Sequence, residues 1–247
     1  MTETAILGFG TVGSGVAELV DRNGDRIRES VPGGIHVKYI LDLRDFPDSP
    51  YADRVVHDIE EILEDPDIRI ICETMGGKEP AFTFTRRALE RGISVCTSNK
   101  ELVAAHGPEL AAIARAHSCS YLFEASVGGG IPLLRTLSVS LSQERIDSVV
   151  GILNGTTNYI LTKMERFGSD FDAVLREAQE MGYAERNPEA DVEAHDTGRK
   201  IAILSSLITG RNVSYEQMYC EGITKITPAD IAAALRAPRC LVSVAVV

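Results

Sequence analysis

A chain of 247 residues, 44% hydrophobic and 25% charged, has the composition of a soluble globular protein and excludes collagen-like, fibrous and extensively disordered classes. Its 25 Lys and Arg against 36 Asp and Glu give a formal net charge of −11. That charge repels phosphate backbones and anionic lipid, so neither nucleic acid nor a membrane surface is expected as a partner. No apolar run reaches the ~18 residues of a membrane span. The N-terminus enters a strand with no basic segment and signal-type stretch before it, so a cytoplasmic location is expected.

The first ~145 residues alternate short β-type runs with amphipathic segments. Thr4 to Gly8 reads as a strand and the stretch after Thr11 as a helix; His36 to Leu41 is a second strand. A short acidic helix over 57–64 leads to a strand over 68–72, then a helix over 79–91 and a strand over 93–96. A helix over 108–117, a strand over 121–123 and a helix over 131–142 complete this region. Near-continuous apolar strands separated by helices indicate a parallel sheet covered on both faces, a doubly wound Rossmann-like α/β architecture for residues 1–145. From Ile146 to Leu153 the pattern becomes a longer strand, followed by helices over 157–166, 171–181 and 192–209. Residues 146–247 are therefore expected to form a second, α+β domain, too short for another doubly wound unit.

Gly8-Phe9-Gly10-Thr11-Val12-Gly13 fits the dinucleotide fingerprint between a strand and a helix. Gly8 permits the tight turn, Gly10 lets a pyrophosphate approach the backbone, and Gly13 allows helix and strand to pack closely. Asp42, at the end of the second strand, suits the ribose hydroxyls of NAD, whereas Arg44 suits the 2′-phosphate of NADP; the sequence leaves both open. Thr97-Ser98-Asn99-Lys100 follows a strand at the carboxyl edge where such sheets bind ligands. Glu124 and the glycine run 128–130 suit a turn with exposed carbonyls, either a tight connection or a site for a hard cation. Thr156 or Thr157 is placed to cap the helix that follows. Val192, Asp196, Lys200, Ile203 and Leu207 share one helical stripe, which sets Asp196 and Lys200 among apolar residues. A charged pair on an inward stripe is explained by a cleft, and a lysine there suits general acid–base chemistry. Among Cys72, Cys96, Cys119, Cys220 and Cys240 no Cys-x-x-Cys occurs, and the five histidines lack metal-ligand spacing, against a disulfide framework or a zinc site. Cys72 and Cys96 read as core fillers.

Taken in order, Gly8 to Gly13, Glu73-Thr-Met-Gly-Gly77, Thr97 to Lys100, Glu124 to Pro132, Gly151-Ile-Leu-Asn-Gly-Thr-Thr-Asn158 and Gly182-Tyr-Ala-Glu185 with Asp191, Asp196 and Lys200 closely resemble the homoserine dehydrogenase family. The resemblance implies an oxidoreductase of threonine and methionine biosynthesis that reversibly reduces L-aspartate 4-semialdehyde to L-homoserine with NADH or NADPH. Carried over by position, Lys200 is the general acid, with Lys100 the second lysine of that site. Glu185, Asp191 and Asp196 hold the substrate. Gly8 to Gly13, Ser98, Lys100 and Gly182 meet the cofactor. Glu124, with carbonyls of Val127, Gly129 and Ile131, matches a sodium site, and a homodimer is implied. The motifs end near Ala234, and Leu235 to Val247 read as unlike the family, an apolar β-prone edge. The resemblance thus implies a C-terminally truncated form whose residues 146–247 make an incomplete α+β substrate and dimerisation domain, either an active enzyme or an impaired homologue or gene fragment that at most binds nucleotide.

Overall fold

The structure, a computed structural model, describes residues 1–236 and 245–246. It divides into two compact units, Met1–Arg135 and Thr136–Val247, so the division lies upstream of the pattern change near residue 145. Cys240 and most of the tail after Ala234 lie outside the described residues.

In the first unit β1 (Thr2–Leu7) leads through the glycine turn into α1 (Thr11–Arg22), and α2 (Gly24–Ser30) precedes β2 (Ile35–Leu41). The chain continues through β3 (Val55–Val56), α3 (Ile59–Leu63), β4 (Ile68–Glu73), α4 (Ala81–Glu90), β5 (Ser94–Thr97), α5 (Lys100–Ala116) and β6 (Tyr121–Leu122). The strands form one sheet in the order β3-β2-β1-β4-β5-β6, and every pairing in it is parallel. This is the doubly wound arrangement, with its change of winding direction between β1 and β4. Leu7 is in register with Leu41 on one side and Glu73 on the other. Gly8, Asp42 and Thr74 therefore follow at one carboxyl edge. Ile6, Phe9, Ala17, Val37 and Ile40 are buried together beneath that edge, and each large aliphatic side chain so buried contributes roughly 1.5–3 kcal/mol.

Two expectations for this region change, and a third is kept in part. The helix expected to start at Pro108 starts at Lys100, because Asn99 caps it through Leu102 N–H, and Pro108 lies inside it. A proline at the first helical position would have cost nothing, which is why it reads as a start. The helix expected over 131–142 is a single wide turn, Thr136–Ser140. Cys72 and Cys96, expected as core fillers, are half-buried neighbours on β4 and β5 with their sulfurs 3.3 Å apart, and Cys72 packs against the core of the sheet.

In the second unit β7 (Val150–Gly151) is followed by α6 (Gly155–Phe167), α7 (Phe171–Glu180), α8 (Glu189–Val192), α9 (His195–Thr209) and α10 (Pro228–Arg236). Ile160, Leu161 and Met164 of α6 pack with Val174, Val192, Ile223 and Ile231 in its core. The long strand expected over 146–153 is confined to Val150–Gly151, which pair antiparallel with β8 (Ala245–Val246). Among the described residues, that is the part of the apolar run held in a ladder. The helix expected over 192–209 is broken: Ala194 takes a left-handed φ of 64°, and Val192 ends α8 rather than sharing the stripe of Asp196 and Lys200. The cap of α6 is Asn154, whose side chain accepts from Thr157 N–H, instead of Thr156 or Thr157. Among the described residues no helix is long and apolar enough to cross a membrane.

Candidate active site

At the carboxyl edge of the first unit the three glycines do different work. Gly8 has φ +91°, and a Cβ on it would stand 3.0 Å from Met75 Cγ and 3.1 Å from Met75 N. At Gly13 a Cβ would collide with the Gly8 carbonyl, so only glycine lets α1 lie this close to the strand. A Cβ at Gly10 meets nothing within 4 Å; here the backbone faces open space. Thr11 and Val12 are exposed in the first turn of α1, where unpaired N–H groups and the helix dipole favour an anion. A cavity of about 500 Å³ opens over this turn, bounded by Gly8–Gly10, Asp42, Arg44, Thr74–Gly76 and Phe84. Its size, open backbone and helix terminus fit part of a dinucleotide.

Asp42 closes one side of the cavity. Its Oδ2 accepts from Phe9 N–H at 2.8 Å, and Arg44 pairs with both its oxygens at 3.0 and 3.1 Å. The Arg44 guanidinium, helped by the Phe9 N–H and against the cost of burial, holds the Asp42 carboxyl down to about 2. On the other side Glu73 is completely buried at the end of β4. It accepts from the Thr97 hydroxyl and from Met75 N–H, and burial pushes its carboxyl above the usual range. Thr97 Oγ1 accepts from Asn99 N–H, and Asn99 Nδ2 donates to Gly77 O at 2.7 Å. This buried network ties Met75, in the cavity wall, and Gly77, just beyond it, to the turn carrying Ser98 and Lys100. Ser98 N–H in turn donates to Glu73 O at 3.3 Å.

In the second unit a tighter polar cluster forms. Lys200 and Asp196, one turn apart on α9, are 2.8 Å apart, their side chains only 17% and 5% exposed. Lys200 Nζ also donates to Leu153 O at 2.8 Å. Asn154 Nδ2 donates both to Asp196 Oδ2 at 3.0 Å and to Asp191 Oδ1 at 2.7 Å. One buried amide thus gathers two carboxylates while its oxygen caps α6. Surface pairs of this type are worth little, but one held in a fixed, water-poor frame presents a positioned ammonium and carboxylates to a polar ligand. The inward Asp196–Lys200 pair read from the sequence is present, although Val192 is not on its helix.

Comparisons with known proteins bear on both units. The profile of the homoserine dehydrogenase NAD-binding domain matches residues 8–124, and that of homoserine dehydrogenase matches residues 132–247. A Synechocystis homoserine dehydrogenase is 45% identical over 236 residues, 94% of this chain and 54% of its own length. A solved structure from Archaeoglobus fulgidus assigned to the same enzyme superposes with a TM-score of 0.90 at 35% identity, covering 100% of this chain and 80% of that one. The chain belongs to the homoserine dehydrogenase family. It spans about half the length of the curated relatives it matches. A hyperthermophilic archaeal homoserine dehydrogenase mutant, solved in complex with NADPH, is 27% identical with a TM-score of 0.83, covering 100% of this chain and 78% of that one. The homoserine dehydrogenase match runs through residue 247, so the family likeness extends past Ala234, where the quoted motifs end.

The remaining residues expected from the homoserine dehydrogenase resemblance are more dispersed. Gly182 follows α7 with φ +75°, and Glu185 is exposed beyond it, its carbonyl accepting from Gln179 Nε2 at 3.1 Å. Glu124 is engaged through both oxygens by the N–H groups of Leu134 and Arg135, at 2.8 and 2.7 Å. Val127 is buried, Gly129 takes φ +56°, and the Ile131 carbonyl accepts from Leu133 N–H at 2.9 Å. The turn therefore satisfies its carboxylate internally. Asn154 and Glu73 were absent from the expected site. Both sit inside the quoted motifs, but their partners lie far along the chain, and local spacing does not reveal them.

Proposed function

We propose that this chain carries the homoserine dehydrogenase reaction, the reversible reduction of L-aspartate 4-semialdehyde to L-homoserine with NADPH or NADH. The observation that carries the proposal is the Lys200–Asp196–Asn154–Asp191 cluster, a positioned ammonium set beside two gathered carboxylates. In this reading residues 1–145 are the nucleotide domain and 146–247 the substrate domain. When bound, the nicotinamide supplies the hydride. Lys200 donates a proton to the aldehyde oxygen as negative charge builds there, and its bond to Leu153 O fixes the direction of that donation. Asp196 orients Lys200 and, with Asp191, receives the substrate ammonium; Glu185 completes that end. Lys100, opening α5 at the sheet edge, joins Ser98 and Gly8–Gly13 on the nucleotide side, with Gly182 against the cofactor. Their support is the open backbone at Gly10 and the network that fixes the 97–100 turn.

A sodium ion at Glu124 with the carbonyls of Val127, Gly129 and Ile131 belongs to the same reading, as do a homodimer and a cytoplasmic location. Glu124 takes one N–H bond on each oxygen, which leaves lone pairs on both for a cation beside the carbonyls, and no chemical step is assigned to sodium. The test is homoserine-dependent reduction of NADP or NAD by the purified chain. Lys200→Ala is expected to cut turnover by at least two orders of magnitude, in the range typical of general acid loss, and to leave cofactor affinity unchanged. Cofactor binding without turnover in the parent would overturn the activity. Turnover surviving Lys200→Ala would overturn the role of Lys200.

A further inference from the structure

Cys72 on β4 and Cys96 on β5 are Cα partners in a parallel ladder, so their side chains leave the sheet on the same face. Both are free thiols, and their sulfurs lie 3.3 Å apart. Neighbouring strands run about 4.7–4.9 Å apart, within the roughly 4.4–6.8 Å Cα separation that a disulfide spans. The rung before them, Ile71 with Val95, points to the other face and is buried. The thiol face is more open. Leu122, the partner of Cys96 on β6, is 63% exposed, and both cysteines are half-buried, so a small oxidant reaches the pair from the β6 side.

The two thiols are not equivalent. A bond from the Cys72 thiol holds Cys96 below the usual thiol range against the cost of burial, while Cys96 and burial push Cys72 up. Cys96 therefore ionises first, and the thiolate is the reactive form. The next rung of the ladder is Glu73 with Thr97, whose side chains are bonded to each other. From there Thr97 Oγ1 accepts from Asn99 N–H at 2.9 Å, and Asn99 Oδ1 accepts from Leu102 N–H at 3.1 Å. A link at Cys72 and Cys96 acts one residue before the rung that holds this turn.

We propose that Cys72 and Cys96 are an oxidation site that closes to a reversible intrachain disulfide with a peroxide as oxidant, and that closure displaces the turn over 97–100. The Cys96 thiolate attacks one peroxide oxygen: an S–O bond forms, the O–O bond breaks, and the other oxygen leaves as hydroxide. Cys96 is then a sulfenic acid, oxidised by two electrons. With the thiolate opposite it gone, Cys72 gives up its proton and attacks the Cys96 sulfur. The S–S bond forms, the S–O bond breaks, and the oxygen leaves as water. Two thiols and one hydrogen peroxide thus give one disulfide and two waters, and a dithiol reductant reverses the change by exchange. Drawing the sulfurs together, to about 2.05 Å, moves the rung beside them and disturbs the Glu73–Thr97 bond.

The experiment treats the reduced full chain with one equivalent of hydrogen peroxide, labels remaining thiols with N-ethylmaleimide in denaturant, and maps the peptides by mass. Cys72 and Cys96 are expected together in one unlabelled cross-linked species lighter by two hydrogens, with both thiols restored by dithiothreitol. Cys72→Ser is expected to leave Cys96 as a sulfenic acid trapped by dimedone, whereas Cys96→Ser is expected to leave Cys72 unreacted. Amide hydrogen exchange over 97–102 is expected to be about tenfold faster in the oxidised chain, the effect of one weakened hydrogen bond. Full labelling of both cysteines after peroxide, or a cross-link from either to another cysteine, would overturn the site. Reaction of Cys72 in Cys96→Ser as fast as that of Cys96 in Cys72→Ser would overturn the order of the steps. A disulfide that leaves exchange over 97–102 unchanged would overturn the coupling to the turn.

Discussion

Asn154→Asp is the most discriminating substitution in the second unit, because it changes one atom's chemistry and keeps the shape. Asp caps a helix as well as Asn, so the bond that Thr157 N–H makes to residue 154 survives. What changes is the amide nitrogen, which in the parent donates to Asp191 at 2.7 Å and Asp196 at 3.0 Å. Two hydrogen bonds to charged groups, each worth roughly 1.5–3 kcal/mol, become two close contacts between like charges. Lys200, already paired with Asp196, offsets only one of the three carboxylates. A loss of at least about 3 kcal/mol at pH 8 follows, which at ~2–4 °C per kcal/mol lowers the melting temperature by roughly 6–12 °C. The sign with pH is fixed. Crowding raises the native carboxyl values of the variant above their unfolded ones, so its native state binds more protons, and the deficit shrinks as pH falls from 8 towards 5. Asn154→Ser, which keeps a capping oxygen and adds no charge, is expected to lose less and with little pH dependence. Thermal melts at pH 8 and pH 5 check this. A variant melting within 2 °C of the parent at pH 8, or a deficit equal at both pH values, would refute the role given to Asn154.

Two further predictions concern the first unit. Gly13→Ala drives a methyl into the Gly8 carbonyl and to 2.8 Å from Thr74 Oγ1, so α1 must shift from β1. The expected result is a stability loss of about 1–3 kcal/mol in chemical denaturation, with dinucleotide affinity reduced about tenfold or more, equivalent to at least ~1.4 kcal/mol. Gly10→Ala meets open space, so it is expected to spare stability while weakening binding, and a matching loss of stability in both variants would count against the distinction. Glu73→Gln tests the buried carboxyl. Burial raises its native value above the unfolded one, so its stabilising share is complete below the unfolded value and is lost as pH rises through the native value. The parent is therefore expected to lose stability relative to Glu73→Gln between pH 5 and pH 8, and parallel melting profiles would show that burial does not set this group.

The difference between what the sequence discloses and what it conceals follows the range of the interactions. The doubly wound arrangement is legible because β1, β2, β4, β5 and β6 are local apolar runs separated by local amphipathic segments; the two-residue edge strand β3 is too short to leave such a run and is not among the expected elements. The fingerprint turn is legible for the same reason, since Gly8, Gly10 and Gly13 act within six positions of one another. Errors appear where a local signal has a second, non-local answer. Pro108 reads as a helix start, yet Asn99 supplies a better one and the helix runs through the proline. The stripe from Val192 to Leu207 reads as one helix, yet Ala194 turns left-handed between α8 and α9.

Asn154 is the sharpest case. In front of Gly-Thr-Thr it is visible only as one more polar residue near a helix start, and the threonines compete for the capping role. Its amide partners lie 37 and 42 positions away, on α8 and at the start of α9. The break at Ala194 makes the arrangement workable, because Asp191 and Asp196 are carried on separate short helices and meet the same amide from two directions. Had α8 and α9 run on as one continuous helix through Ala194, Asp191 and Asp196 would stand about 500° apart around the axis at 100° per residue, a net offset of roughly 140°, on different faces. Both could not then reach one nitrogen. The irregularity that defeats the periodic reading is therefore what assembles the cluster around Lys200.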